Sequence, residues 1–396
     1  MRIGLFTDSY KPYICGVTTS VDMLRQGLES LGHEVYVICT KMTPEQAKTY
    51  HENDSHVIRM NGVHLHKKGM NEFRLSFFSN IKYRRLRKFH FDIVHIHTEF
   101  SMGYLGLVYA KKMKVPVIYT SHTMWEDYFH FVSAFLAKHA HPQLMWGLKK
   151  LMNTFAKNAS YTIVPSEKFK ETLDNYALQT QYRVIPTGID IDRFFSKNVD
   201  LKLSKEIRLE HKIKDEDFCF LYLGRASLEK SVDILLDAFI KLNNPYTKFL
   251  IVGDGTAIQK LKKTASEYQY SENIIFIGSV PWEKVPAYYH AADCFINASN
   301  TETQGLTYIE GLASSLPVIY RRDKVLDNVV IENENGLLFD TVEELVQKMQ
   351  LIMTDNDLRK KLITNASKSV EKYSKECYTN NVLNLYREVL KQKDEA

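Results

Sequence analysis

Short apolar, β-branched runs alternate with longer stretches of helical period along the whole chain, and near its middle the alternation begins a second time. A strand buried on both faces is apolar throughout, and only a crossover helix returns the chain to lay down a parallel neighbour. The pattern therefore demands parallel sheets covered by helices. In the first series the expected strands are Arg2–Thr7, Glu34–Thr40, Asp92–His97, Val115–Thr120, Tyr161–Val164 and Arg183–Ile185. Helices are expected at Thr18–Leu31, Ser79–Phe89, Gly103–Met113, Pro142–Ala156 and Glu167–Tyr176. The second series has strands Phe218–Gly224, Lys248–Gly253, Ile274–Gly278, Cys294–Ala298 and Val318–Tyr320. Its helices are Val232–Leu242, Ala257–Tyr268, Trp282–His290, Leu306–Ser314 and Val342–Met353. A length of 396 residues leaves room for two domains. The polar stretch Thr187–Lys214 separates the series and puts the division at about residue 197, giving residues 1–197 and 198–375, with a last helix in 376–396. The expected class is α/β, two Rossmann-like doubly wound parallel sheets facing a central cleft. In such sheets ligands meet the loops at the carboxyl ends of the strands.

Charge is uneven along this framework. The net +5 divides into 26 Lys+Arg against 18 Asp+Glu in residues 1–200 and 26 against 29 in 201–396, so the halves stand at +8 and −3. Such asymmetry points to an anionic partner for the first half. No apolar run reaches the roughly 18 residues of a membrane span, and the chain opens directly on a strand, so a cytoplasmic protein is expected. The five cysteines are scattered and suggest neither disulfides nor zinc. His64/His66, His95/His97 and His139/His141 have strand spacing that puts two imidazoles on one face, but no third ligand is spaced to match. No metal is expected, and His97, at a strand end, is expected to line the cleft.

Two segments after expected strands carry residues suited to anion chemistry. The first, Leu223-Gly224-Arg225-Ala226-Ser227-Leu228-Glu229-Lys230-Ser231, leaves a strand and enters a helix. Gly224 lets the chain turn, and Arg225 and Lys230 can both reach a diphosphate near a helix N-terminus. The second is Glu302-Thr303-Gln304-Gly305-Leu306-Thr307-Tyr308-Ile309-Glu310. Gly305 lets backbone N–H groups approach an anion at a positive helix end. Glu302 in the loop and Glu310, about two turns into the helix, can address different hydroxyls of one ligand.

With Gly16-Val17, His122, Pro186-Thr187-Gly188-Ile189-Asp190 and Gly253-Asp254-Gly255, these segments resemble retaining glycosyltransferases of the GT-B fold, carbohydrate-active family four, over almost the whole chain. The resemblance implies metal-independent transfer of a hexose from a nucleotide sugar, UDP-glucose, with no cofactor. By it Arg225 and Lys230 hold the donor diphosphate, Glu310 the ribose and Glu302 the transferred sugar. Gly305 and Leu306 offer N–H groups, Gly16 approaches the phosphate and His122 the sugar. The implied catalytic set is His122, Arg225, Lys230 and Glu302; the donor-binding set adds Gly16, Thr303, Gln304, Gly305, Leu306 and Glu310. Cys15 departs from the family pattern at the turn that approaches the phosphate, and Ser315 and Arg321-Arg322-Asp323 depart from it at the sugar end and leave the choice of hexose open.

Within the family, Ile96-His97-Thr98-Glu99-Phe100-Ser101-Met102-Gly103 and Ser121-His122-Thr123-Met124-Trp125-Glu126-Asp127-Tyr128 resemble bacterial diacylglycerol glucosyltransferases. This implies diacylglycerol as acceptor at the inner face of the cell membrane. Independently, residues 67–89 interleave Phe73, Phe77, Phe78, Tyr83 and Phe89 with Lys67, Lys68, Arg74, Lys82, Arg84, Arg85, Arg87 and Lys88, against one acid, Glu72. Aromatics beside cations make an anchor for an anionic lipid surface, so Phe73, Phe77, Phe78, Lys82, Arg84, Arg85, Arg87 and Lys88 are the expected membrane-binding set. The same stretch would suit single-stranded nucleic acid, but no RNP-like or GXXG signature accompanies it, and no nucleic acid is expected. A glycosyltransferase with a soluble acceptor would keep every donor motif without needing this stretch. In Pro142–Ala156 the stripe Leu144, Met145, Leu148, Leu151, Met152 and Phe155 is expected to face the core.

Overall fold

The computed structural model describes all residues except 14, 65–73, 77–78, 124–140, 300–301, 328 and 396, and only the backbone of 64, 74, 75 and 141. The chain divides into two compact units, Met1–Ile189 together with Lys375–Ala396, and Asp190–Ser374. The strands of the first are β1 (Arg2–Phe6), β2 (Glu34–Thr40), β3 (Val57–Met60), β4 (Val63–His64), β5 (Arg74–Leu75), β6 (Ile93–Ile96), β7 (Val117–Thr120), β8 (Tyr161–Val164) and β9 (Tyr182–Val184). Seven of them form a parallel sheet in the order β3-β2-β1-β6-β7-β8-β9, and β4 pairs antiparallel with β5. The chain winds outward from β1 to β3, then returns to β6 on the other side of β1. The loops after β1 and β6 therefore diverge at this switch point. Asp8, after β1, joins them by accepting from Thr98 Oγ1 at 2.6 Å and from the N–H of Met102 at 3.1 Å.

Helices cover both faces of this sheet. On one, Val21, Leu24 and Leu28 of helix Gly16–Ser30 and Tyr378, Val382, Tyr386 and Val389 of helix Lys375–Asp394 pack over Leu5, Val37 and Ile93. The two helices approach so closely that a Cβ on Gly27 would lie 1.9 Å from Thr379 Oγ1, which is why a glycine stands there. On the other face, Met102, Leu105 and Tyr109 of helix Ser101–Met113 pack over Phe6, Ile38 and Ile96.

The second unit contains β10 (Phe218–Leu223), β11 (Thr247–Val252), β12 (Ile274–Gly278), β13 (Cys294–Asn297), β14 (Val318–Arg321) and β15 (Leu337–Phe339), all parallel in the order β12-β11-β10-β13-β14-β15. Its switch point lies between β10 and β13. The division falls at Ile189/Asp190 rather than near 197 because the segment that follows belongs to the second unit's packing. Phe194 meets Trp282 and Tyr289 edge-on, and Arg208 donates to Ala291 O at 2.9 Å. Several described elements were not expected from the sequence, among them β3, β4, β5, β15 and the helices Gln46–Thr49, Leu201–Glu210 and Asn356–Ala366.

Candidate functional site

In the second unit the two candidate segments leave β10 and β13, the neighbouring strands of the switch point, so the sheet itself brings them side by side. Lys230, closing a 3₁₀ turn, donates to Glu302 Oε1 at 2.6 Å, with both side chains about four-fifths buried. Arg225 is not drawn into that contact: its guanidinium is half exposed and lies 3.1 Å from Glu229, which also accepts from Ser227 Oγ at 2.6 Å. One cation is thus clamped to the opposite loop, and the other is held at the surface by its own turn.

Glu302-Thr303-Gln304 runs into Gly305, whose φ of +76° places it in the left-handed region as cap of helix Leu306–Ala313. Gly305 has no side chain with which to cap that helix, and its positive end, with the N–H of Leu306, suits an anion. Thr303 is partly exposed and Gln304 buried. Glu310 does not join Glu302. It is buried and accepts from Tyr289 Oη at 2.9 Å, and burial pushes its carboxyl up to about 7. Tyr289, from helix Val285–Ala291, is a site residue that the motif reading missed. Its only signal was an aromatic that could supply a hydroxyl to a buried acid.

In the first unit Gly16 is exposed at the start of helix Gly16–Ser30, whose cap residue Cys15 makes no capping bond. His122 follows β7, partly exposed, with its Nε2 3.1 Å from Nδ1 of His97. Their rings stack with centroids 5.4 Å apart, and burial brings the His122 imidazole down to about 4. His97 itself, expected to line a cleft, is only 1% exposed. His95 of β6 and His97, just past its end, share a face as their spacing predicts, rings 4.0 Å apart. They are not a metal pair, because the His95 nitrogens are taken by Thr120 Oγ1 and Tyr386 Oη, each at 2.6 Å. Among the described residues no group of three His, Cys, Asp or Glu side chains could hold a metal ion.

Of the expected membrane-binding set, Phe73, Phe77 and Phe78 lie outside the described residues. Helix Ser79–Leu86 and the turn Arg87–Phe89 expose Arg84, Arg85, Arg87 and Lys88. Lys82 points elsewhere: its ammonium donates to Asn61 O at 2.5 Å and to Ser76 Oγ, which makes it a tether to the β3–β4 turn. Tyr83 and Phe89 also turn inward, against Tyr109 and Tyr36 respectively, because helical spacing puts them on the face of the buried Leu86. In helix His141–Ala156, Leu148, Met152 and Phe155 are core residues, while Trp146 is exposed. Among the described residues no helix is long and apolar enough to cross a membrane.

Comparison with known proteins gives this geometry a family. Residues 14–193 match the family described as Glycosyltransferase Family 4, and residues 204–369 that described as Glycosyl transferases group 1. The chain is 39% identical over 392 residues to the alpha-monoglucosyldiacylglycerol synthase of Acholeplasma laidlawii, with 98% of each chain covered. To the synthase of the same name in Streptococcus pneumoniae it is 36% identical over 341 residues, covering 86% of this chain and 75% of the relative. Two solved structures share the fold. The sucrose-phosphate synthase of Thermosynechococcus elongatus matches with a TM-score of 0.78 at 21% identity over 99% of both chains. HepE of Anabaena, crystallised with UDP-glucose, matches with a TM-score of 0.76 at 16% identity, covering 98% of this chain and 100% of its own. The chain is a family-four glycosyltransferase of the GT-B fold, in the group that contains the alpha-monoglucosyldiacylglycerol synthases.

Proposed function

We propose that the protein transfers glucose from UDP-glucose to the free hydroxyl of 1,2-diacylglycerol, with retention and without a metal, at the cytoplasmic surface of the membrane. The observation that carries this reading is the Lys230–Glu302 clamp at the β10/β13 switch point, in a chain 39% identical to a synthase of that name. A donor diphosphate entering beside helix Leu306–Ala313 would meet the positive end of that helix, Lys230 and Arg225, a preorganised set of positive groups for the charge that develops on the leaving group. Glu302, released from Lys230, would then turn to the sugar hydroxyls, and Glu310 with Tyr289 to the ribose. In the reaction the bond from the anomeric carbon to UDP breaks and the bond to the acceptor oxygen forms on the same face. The departing phosphate takes the acceptor's proton. The exposed Arg84, Arg85, Arg87 and Lys88 support docking on anionic lipid.

The test supplies UDP-glucose labelled in the sugar to vesicles of diacylglycerol and anionic phospholipid, and counts label that enters organic solvent. Transfer should require diacylglycerol, survive a metal chelator and be lost in Lys230→Ala with the fold intact. Release of UDP with all label left in water would keep the donor and overturn the lipid acceptor.

A further inference from the structure

His97 is a buried polar residue in the middle of the first unit that the donor chemistry does not use. It is 1% exposed, yet among the described residues only one of its ring nitrogens is engaged: Nδ1 lies 3.1 Å from His122 Nε2, and Nε2 is buried without a partner. Its neighbour His95 differs, with hydroxyl partners on both nitrogens, and so needs no role beyond packing. Burial holds the His97 and His122 rings neutral at neutral pH, so a single proton lies between Nδ1 of one and Nε2 of the other. It has two possible owners. If His122 Nε2 carries it, the remaining proton of His97 must sit on its own Nε2, an N–H buried without an acceptor. If His97 Nδ1 carries it, the orphan is a bare lone pair. A buried, unpaired N–H is the arrangement that folded proteins avoid most strictly.

We propose that His97 is a positioning residue for His122: its Nδ1–H donates to His122 Nε2, fixes that ring as the Nδ1–H tautomer and leaves this N–H as the donor offered to the transferred sugar. The last step rests on the reading of His122 as a sugar-facing residue. The first two do not, since they concern only bonds inside the unit. A histidine side chain free in water favours the proton on Nε2, so an Nδ1–H tautomer at His122 is a signature of the bond from His97.

The measurement is the ¹⁵N chemical shift of both His122 ring nitrogens in full-length protein labelled at histidine, with the signals assigned by their loss in His122→Gln. A protonated Nδ1 and a bare Nε2 are expected. An Nε2–H tautomer in the unsubstituted protein overturns the proposal. Substitution then separates positioning from space filling. Asparagine places an amide N–H where His97 carries Nδ1, and glutamine places it where His97 carries Nε2. His97→Asn should therefore keep the tautomer and most of kcat, whereas His97→Gln and His97→Leu should lose the tautomer and about tenfold in kcat, the worth of one hydrogen bond, with little change in KM for UDP-glucose. Equal activity of the asparagine and glutamine variants would reduce His97 to packing. Failure of every form, the unsubstituted one included, to turn over UDP-glucose would overturn the functional reading, while the spectra of the free protein would still decide the tautomer.

Discussion

At the scale of single residues, the two acids of the second unit divide their work by environment. Glu302 is paired to Lys230, whereas Glu310 is buried with a tyrosine hydroxyl and, among the described residues, forms no ion pair. Its carboxyl, raised by burial from 4.5 to about 7, binds a proton more tightly folded than unfolded. Its contribution to stability is therefore complete below pH 4.5 and fades as pH rises through 7. Between about pH 5 and pH 8 this amounts to roughly 2–3 kcal/mol. Thermal melts over that range should show a fall in the unsubstituted protein that is absent in Glu310→Gln. Parallel curves would mean that Glu310 does not titrate there. For Glu302→Gln the expectation is loss of transfer by about tenfold or more, with UDP binding, read by calorimetry, nearly kept. Equal weakening of UDP would move Glu302 from the sugar to the nucleotide. Motif spacing made Lys230, Glu302 and Glu310 legible, but not their partners. Tyr289 reaches Glu310 from helix Val285–Ala291, across a separation in sequence over which local pattern carries no information; in the first unit His97 was legible as a strand-end histidine, but not its contact with His122.

At the scale of elements, periodicity located the central strands and the edge strands β9 and β12, but missed the edge strands β3 and β15. β3 has four residues with Arg59 among them, and β15 has three, too few for a pattern to stand out. The helix Leu201–Glu210 fell in a segment read as polar and Asn356–Ala366 in one to which no element was assigned, although each begins with a working signal. Asp200 accepts from the N–H groups of Lys202 and Leu203, and Asp355 from that of Leu358. The basic stretch was legible as charge but not as orientation, since one helical turn decides that Tyr83 packs inward and Arg84 faces out. Each exposed cation near an anionic surface contributes about 1 kcal/mol, so replacing Arg84, Arg85, Arg87 and Lys88 by Gln should weaken vesicle binding by up to about three orders of magnitude. Lys82→Gln should instead lower thermal stability with little effect on binding. Sedimentation with vesicles separates the two, and unchanged binding in the fourfold variant would place the anchor elsewhere.

At the scale of the molecule, each unit has its own sheet and its own core, so unfolding in two steps is expected. Tyr386→Ala removes a fully buried ring and the hydroxyl that satisfies His95, and should cost about 3–5 kcal/mol. Hydrogen exchange should show that loss in β1, β2, β6 and β7 and leave β10 to β14 protected; a uniform loss would mean that the units unfold together. The helix Lys375–Asp394 has one more consequence, for the order in which the protein is made. The second unit is a continuous run, complete once Ser374 has left the ribosome, whereas the first lacks Tyr378, Tyr386 and Val389 until the residues beyond it have followed. The half that is translated first is thus the last able to close its core, and during synthesis its sheet must wait with one face uncovered.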